Sequence, residues 1–357
     1  MSHTLLLVGD IFVQRDDPPS VFQHVRDLLK NGDFTFGNLE GSTSDSGEPW
    51  SIKETNWRAD ARQVQALGSA GFDAVNVANN HMLDFGHAAL FETLGHLDRL
   101  GIKHTGGGRN KAEAHAPAIV EKKGCRVAML GYTSVFIPEW AATEDGPGLA
   151  VMRARTSYEA PSRVFEVPGT PPIIRTQLYT EDRQRLAEDI AAARKQADIV
   201  VCAFHWGVSR GHMKIAEYQT ELGHHAIDCG ADIVFGHHPH VLQGVEVYRG
   251  KAIFYSLGNF TFAQHDPIGK GHEAESAIVR CIVDNRKITV VEYLPSRIDD
   301  KLDPHVLSLA EGKDVVEMLA QRSKMFKTRF APHGDAIRLV DASEQTASSP
   351  AREKAMA

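Results

Sequence analysis

The chain has 357 residues, 42% of them hydrophobic and 24% charged, with a formal net charge of −7. That composition supports a sizeable core in one or two domains and gives no general attraction to nucleic acid. No apolar run has membrane-spanning length, and the N-terminal run Leu5-Leu6-Leu7-Val8 is strand-sized, with no basic leader or cleavage site, which predicts a cytoplasmic protein.

In chain order, strands and helices alternate. Residues 4–8 form a continuous apolar strand. Residues 20–30 read as a helix with Ser20 at its N-cap and Val21, Phe22, Val25, Leu28 and Leu29 as apolar positions. A short strand over 34–36 follows, then a helix over 61–70 closed by Gly71, a strand over 73–78 and a helix over 87–100 closed by Gly101. A strand over 126–132 precedes residues 133–180, which are rich in Pro, Gly and Arg and are expected to be an insertion or a lid. Beyond it lie a helix over 181–196, an apolar strand over 198–204, a helix over 215–229 and a strand over 231–235. Hairpins over 244–257 and 276–293 complete the pattern. Residues 1–330 therefore read as one layered α/β sandwich with mixed sheets, and residues 342–357 as a disordered tail. Cys125, Cys202, Cys229 and Cys281 form no C-x-x-C pair and sit in apolar segments, as buried free thiols do.

The strands end in metal-ligand residues. Gly236-His237-His238-Pro239-His240 is the densest group, directly after the apolar run Ile233-Val234-Phe235. Asp10, Glu40, Asn80 with His81, and His205 follow four other strands in the same way. Ligands of open α/β sheets bind at the carboxyl ends of strands, so parallel neighbours would bring these residues together. A mixed O and N set without thiolate suits Mn, Fe, Zn or Ni better than Mg or Ca, and is not a structural zinc site. Two ions about 3.5–4 Å apart, bridged by a carboxylate, are within its capacity. Each residue also has a plainer reading. Asp10 would cap a turn, Asn79 and Asn80 would be left-handed turn residues, and Trp206 would be core or a pocket wall. Asp84 would either cap the next helix or orient His81. Gly106-Gly107-Gly108 lacks phosphate-loop spacing and reads as a turn. His224-His225 lies on a helix, where neighbours do not share a face. Arg15, Lys53, Arg109, Arg210 and Lys214 are the cations nearest the motifs in sequence, as anion binders or as surface charge.

The motifs Gly37-Asn38-Leu39-Glu40, Val77 to Gly86, Phe204-His205-Trp206-Gly207, Gly230 to His240 and Tyr255 to Phe260 resemble those of the bacterial capsule-synthesis family (CapA, or PGA_cap). That family is a branch of the calcineurin-like metallophosphatases. The resemblance implies a four-layer α/β/β/α sandwich and a centre of two divalent ions, Mn, Zn or Fe. It assigns Asp10, Glu40 (bridging), Asn80, His205, His238 and His240 to the metals and the catalytic role to His81, which Asp84 would hold in the right tautomer if it is the orienting partner. The chain departs from the wider superfamily in having Ile11-Phe12 where Asp-x-His is usual and Glu40 where Asp is usual. His237 would then be a further ligand or an outer group. The leading expectation is a hydrolase in which a metal-held hydroxide attacks a phosphoester or related bond of a small-molecule, peptide or polyanionic substrate, with a possible link to poly-γ-glutamate or capsule metabolism. Arg15, Lys53, Trp206 and His265 are the candidate substrate contacts. The alternatives are a peptide epimerase, with His81 and His265 exchanging protons at Cα, and a non-catalytic accessory subunit of capsule-polymer synthesis.

Overall fold

The computed structural model describes residues 2–211, 213–262 and 274–340. The predicted partner base His265 and the predicted tail at 342–357 lie outside the described residues.

The strands of the two large sheets, in chain order, are β1 (His3–Phe12), β2 (Phe34–Leu39), β3 (Ala74–Asn76), β4 (Lys103–Thr105), β5 (Ala118–Lys122), β6 (Cys125–Thr133), β7 (Ile199–His205), β8 (Ile233–His237), β9 (Val245–Tyr248), β10 (Lys251–Phe254), β11 (Asn259–Phe262), β12 (Glu275–Asp284), β13 (Lys287–Ile298), β14 (Pro304–Val306), β15 (Arg329–His333) and β16 (Ala336–Val340). The first sheet runs β15-β16-β13-β12-β1-β2-β3-β4, with β11 on β1 and β14 on β13. The second runs β9-β10-β8-β7-β6-β5. β1 to β4 are mutually parallel, as are β6, β7, β8 and β10, while the hairpins join antiparallel.

Period-two alternation decides which face each residue takes. Leu5, Leu7, Phe34 and Phe36 meet Val127, Met129, Val201, Ala203, Ile233 and Phe235 in the core between the sheets. Leu6 and Val8 point outward instead, onto a layer that includes Leu29 of α1 (Arg26–Asn31), Leu67 of α2 (Gln65–Ala70) and Leu90, Leu94 and Leu97 of α3 (Gly86–Arg99). On the far side, Leu130, Val200 and Cys202 pack under Leu186 and Ile190 of α4 (Thr180–Arg194) and Leu222 and Ala226 of α5 (Glu217–Asp228). The layers are therefore α/β/β/α. Val315 and Leu319 of α6 (Lys313–Ser323) add to the core between the sheets.

Three local expectations change. The helix expected over 20–30 is broken: Pro18 and Pro19 open a 3-10 turn over Pro18–Phe22, and α1 begins only at Arg26. Ser20 lies inside that turn, its hydroxyl donating to the Asp17 carbonyl at 2.6 Å, and is not an N-cap. The stretch 133–180 divides in two. Its first part is woven into the body, with Trp140, Leu149, Ala150 and Met152 buried and Gly148–Leu149 paired to Gly107–Gly108. Its second part is a hairpin, Ala154–Glu159 with Ile173–Leu178, that rests on α5 through bonds from the Thr176 and Leu178 N–H groups to Glu217 and Glu221. The hairpin packs on the N-terminal part of α5 in the outer helical layer. All four cysteines are unpaired. Among the described residues, no helix is long and apolar enough to cross a membrane.

One irregularity positions the site. The β1–β2 register slips between Leu7 and Asp10, and the β1–β11 register slips between Asp10 and Ile11. Without this bulge Asp10 would share the outward face of Leu6 and Val8; the extra residue turns it inward. Gly9 makes the bulge possible, because a Cβ there would lie 2.0 Å from the Gly258 carbonyl oxygen. That same carbonyl accepts the Asp10 N–H at 3.0 Å. Gly9→Ala is expected to destabilise the protein by about 3 kcal/mol, the upper end for overpacking; an unchanged urea midpoint would contradict this role.

Candidate metal centre

The carboxyl ends of β1, β2, β7 and β8 and the loop after β3 meet at one end of the seam between the sheets. His205 continues the inward parity of Val201 and Ala203, and Asn38 that of Phe34 and Phe36. Asp10, Glu40 and His205 each offer a ligand atom within 4.8 Å of the others, and all three are fully buried. The His240 ring joins them, with Nδ1 3.8 Å from Asp10 Oδ2 and Nε2 3.7 Å from Glu40 Oε1. Asn80 Oδ1 lies 2.6 Å from His205 Nε2. His238 contributes its backbone N–H to Asp10 Oδ2 at 3.1 Å, and its ring is buried with Nδ1 unbonded. Both His238 (φ +91°) and His240 (φ +58°) hold left-handed backbone, which costs free energy in a non-glycine residue and is characteristic of functional loops.

Burial dominates the electrostatics of the cluster. Burial pushes the Asp10 carboxyl up to about 7, against bonds from the His238 N–H and the Asn38 amide that pull it down. Burial first, then the neighbouring Asp10, raises Glu40 well above the usual carboxylate range. Burial lowers His205 and His238 well below ordinary imidazole values and takes His240 down to about 4. Both Glu40 oxygens are buried without a hydrogen-bond partner. A buried carboxylate with no donor is strongly unfavourable unless it is protonated or faces a metal. The donor set and the orphaned Glu40 therefore fit one or two divalent cations.

His81 stands beside this cluster. Its Nδ1–H donates to Asp84 Oδ2 at 2.6 Å, and its ring stacks on Trp57 with centroids 3.5 Å apart and planes 11° apart. The Trp57 N–H holds the same Asp84 oxygen at 2.7 Å. Of the two readings of Asp84, orienting partner is the one seen; the residue flanking α3 is Phe85, and no side chain caps it. Burial outweighs the Asp84 bond and lowers His81 to about 4.

The other candidates separate clearly. Lys53 reaches the site, with its ammonium bonded to Asp84 Oδ1 and the Asn80 carbonyl and 3.0 Å from His81 Nδ1. His237 shares the inward parity, but its Nε2 donates to the Val8 carbonyl at 3.2 Å, beside the β1 bulge, which places it outside the carboxylate cluster. Arg15 is not a substrate contact: it forms an ion pair with buried Asp303 at 2.7 Å. Trp206 is not a pocket wall either. Alternation sends it to the outer face, where it stacks between Phe204 and Tyr255 and donates to the Tyr255 carbonyl at 2.8 Å. Arg109 is largely exposed and pairs with Glu113. Arg210 binds the Pro239 carbonyl through its N–H, next to the His loop. Asn79 is not in the left-handed region. Its carboxamide ties the β2 loop to the β3 loop, accepting from the Gly41 and His81 N–H groups at 3.1 and 3.2 Å.

Sequence reading missed four supports. The Asn38 amide donates to Asp10 Oδ1 at 2.8 Å, and Asn76 donates to Asn38 Oδ1 at 2.9 Å. Asn259 Oδ1 accepts from His240 Nδ1 at 2.9 Å, and Trp57 covers His81. The signal available was the recurrence of Asn at strand ends.

The chain belongs to the family described as "Bacterial capsule synthesis protein PGA_cap", which matches residues 4–264. That is the calcineurin-like branch whose motifs the sequence carries. The chain is 30% identical over 329 residues to the "Capsule biosynthesis protein CapA" of Bacillus anthracis, covering 89% of this chain and 73% of that protein. It is 31% identical over 283 residues to the "PGA biosynthesis protein CapA" of Bacillus subtilis, covering 76% of this chain and 66% of that one. A solved calcineurin-like phosphoesterase, YfkN of Bacillus subtilis, aligns over 91% of this chain and 98% of its own, at 12% identity and a TM-score of 0.43.

The titrations carry signs that can be checked in metal-free protein. Asp10 and Glu40 are raised on folding, so the stability they lend is present at low pH and lost as pH rises; for Asp10 the loss runs from its ordinary value to about 7. The lowered His205, His238 and His240 lend stability that is present above the ordinary imidazole value and lost as pH falls below it. Chelated protein is therefore expected to melt highest near pH 6, roughly where the two trends cross, and lower at pH 8. Added Mn2+ or Zn2+ should abolish the loss at pH 8. A metal effect equal at pH 6 and pH 8 would contradict this assignment.

Proposed function

We propose that the chain is a metal-dependent hydrolase of the metallophosphatase type, acting on a phosphoester or related bond in the metabolism of an anionic capsule polymer. The observation that carries this reading is Glu40, a fully buried carboxylate with both oxygens unbonded, set against Asp10, His205 and His240. Family membership and the CapA relatives supply the capsule context.

Asp10, Glu40, Asn80, His205, His238 and His240 would hold two divalent ions, with Mn, Zn or Fe suited to the mixed donors. Such ions supply a nucleophile at neutral pH and polarise the bond under attack. The chain's own residues do the rest. Asn38 fixes the Asp10 carboxylate, and Asn259 fixes the His240 ring. With Nδ1–H committed to Asp84, His81 keeps Nε2 for the substrate. The ring is neutral at pH 7; an anionic substrate beside it raises its proton affinity, which suits Nε2 to protonating a leaving oxygen. Lys53 balances the charge of Asp84 and so keeps the imidazole from being locked as a cation.

Two variants separate holding metal from moving protons. Glu40→Gln should lose the metal of the carboxylate centre and phosphoesterase turnover together. His81→Ala should keep its metal and lose about 10²–10⁴-fold in kcat. Metal analysis with a screen of phosphomonoesters, phosphodiesters and γ-glutamyl peptides checks both. Full turnover in chelator, or wild-type metal content in Glu40→Gln, would overturn the reading.

A further inference from the structure

We propose a second metal site, separate from the carboxylate centre, formed by His24, Asp299 and His305 and suited to Zn2+. Each of the three offers a ligand atom within 4.8 Å of the other two. The two imidazoles stack with centroids 4.1 Å apart and planes 23° apart. His305 Nε2 lies 3.0 Å from Asp299 Oδ2. The other Asp299 oxygen is pinned by the N–H groups of Lys301 and Asp303 at 2.8 and 2.9 Å, which keeps Oδ2 turned to the rings. Behind the cluster, Asp303 Oδ2 lies 3.9 Å from His24 Nε2 and accepts from Gln23 at 2.8 Å, while its other oxygen meets Arg15.

Two imidazoles and one carboxylate, with a position left for water, are a zinc donor set. Tetrahedral bonds of about 2.0–2.1 Å put ligand atoms roughly 3.3 Å apart, so the cluster needs to close by an ångström or so. The side chains can do this, because His24, Asp299 and His305 are 45%, 35% and 34% exposed. Binding would displace the proton that His305 Nε2 shares with Asp299 and release it to solvent. The ligands come from the turn before α1 (His24), from the loop after β13 (Asp299) and from β14 itself (His305). A bound ion would therefore clip the N-terminal helical segment to the far edge of the first sheet and stabilise the folded chain.

Calorimetric titration of the chelator-treated protein with Zn2+ tests the site, using wild type, His24→Ala/His305→Ala, His305→Gln and Glu40→Gln. Both peripheral variants should bind one ion fewer than wild type, show a smaller Zn2+-induced rise in Tm and keep wild-type phosphoesterase turnover. Glu40→Gln should retain the peripheral ion. Unchanged stoichiometry in both peripheral variants would overturn the proposal. If instead the carboxylate centre binds nothing, wild type would take up this one ion alone, which separates the two failures.

Discussion

Asp10 and Glu40 are buried side by side at the end of a seam between two sheets, and that placement is costly on its own. Each is fully buried, and Glu40 has no donor within the protein. The core between the sheets holds them there. Leu5, Leu7, Phe34, Phe36, Val201, Ala203, Ile233 and Phe235 force β1, β2, β7 and β8 to end in the same place. What the strands deliver to that place is negative charge and neutral imidazole. On the proposed reading, a cation would resolve the conflict that burial creates, since it would compensate the carboxylates and use the lone pairs of imidazoles that burial keeps unprotonated.

Around this cluster the protein spends amides rather than charges. Asn38, Asn76, Asn79 and Asn259 bond the ligand side chains and loops to one another. An amide can donate and accept without adding net charge, so it orients a ligand without competing for the cation. The proton-transfer group is arranged separately. His81 is set by Asp84, Lys53 and Trp57, two of which come from the loop preceding α2. On the proposed roles, Asn80 and His81 are neighbours on the loop after β3, where metal holding and proton transfer would meet, while Lys53 and Trp57 reach them from a separate loop.

A layered α/β sandwich was legible because apolar residues recur on both faces of the strands, as in a sheet covered on both sides; the four-layer α/β/β/α order came only with the family resemblance. The ligands were legible because each follows such a run. The bulge at Gly9 was not, since strict alternation puts Asp10 on the outer face. Trp206 could have been placed by that same alternation: if His205 points inward, its neighbour points outward. His237 obeyed the parity of a ligand, but a backbone carbonyl beside the bulge took its Nε2. Arg15 sits close to the motifs in sequence, yet its partner Asp303 is supplied from the other end of the chain. The elements β14 to β16 and α6 carried no motif, and their place at the sheet edge is set by long-range packing that local pattern does not encode.

Anomalous diffraction from crystals of the protein loaded with Mn2+ or Zn2+ tests the central claim most directly. The account predicts two peaks about 3.5–4 Å apart, enclosed by Asp10, Glu40, Asn80, His205, His238 and His240. An empty cluster at saturating metal, with the Glu40 oxygens bonded to protein donors, would contradict it.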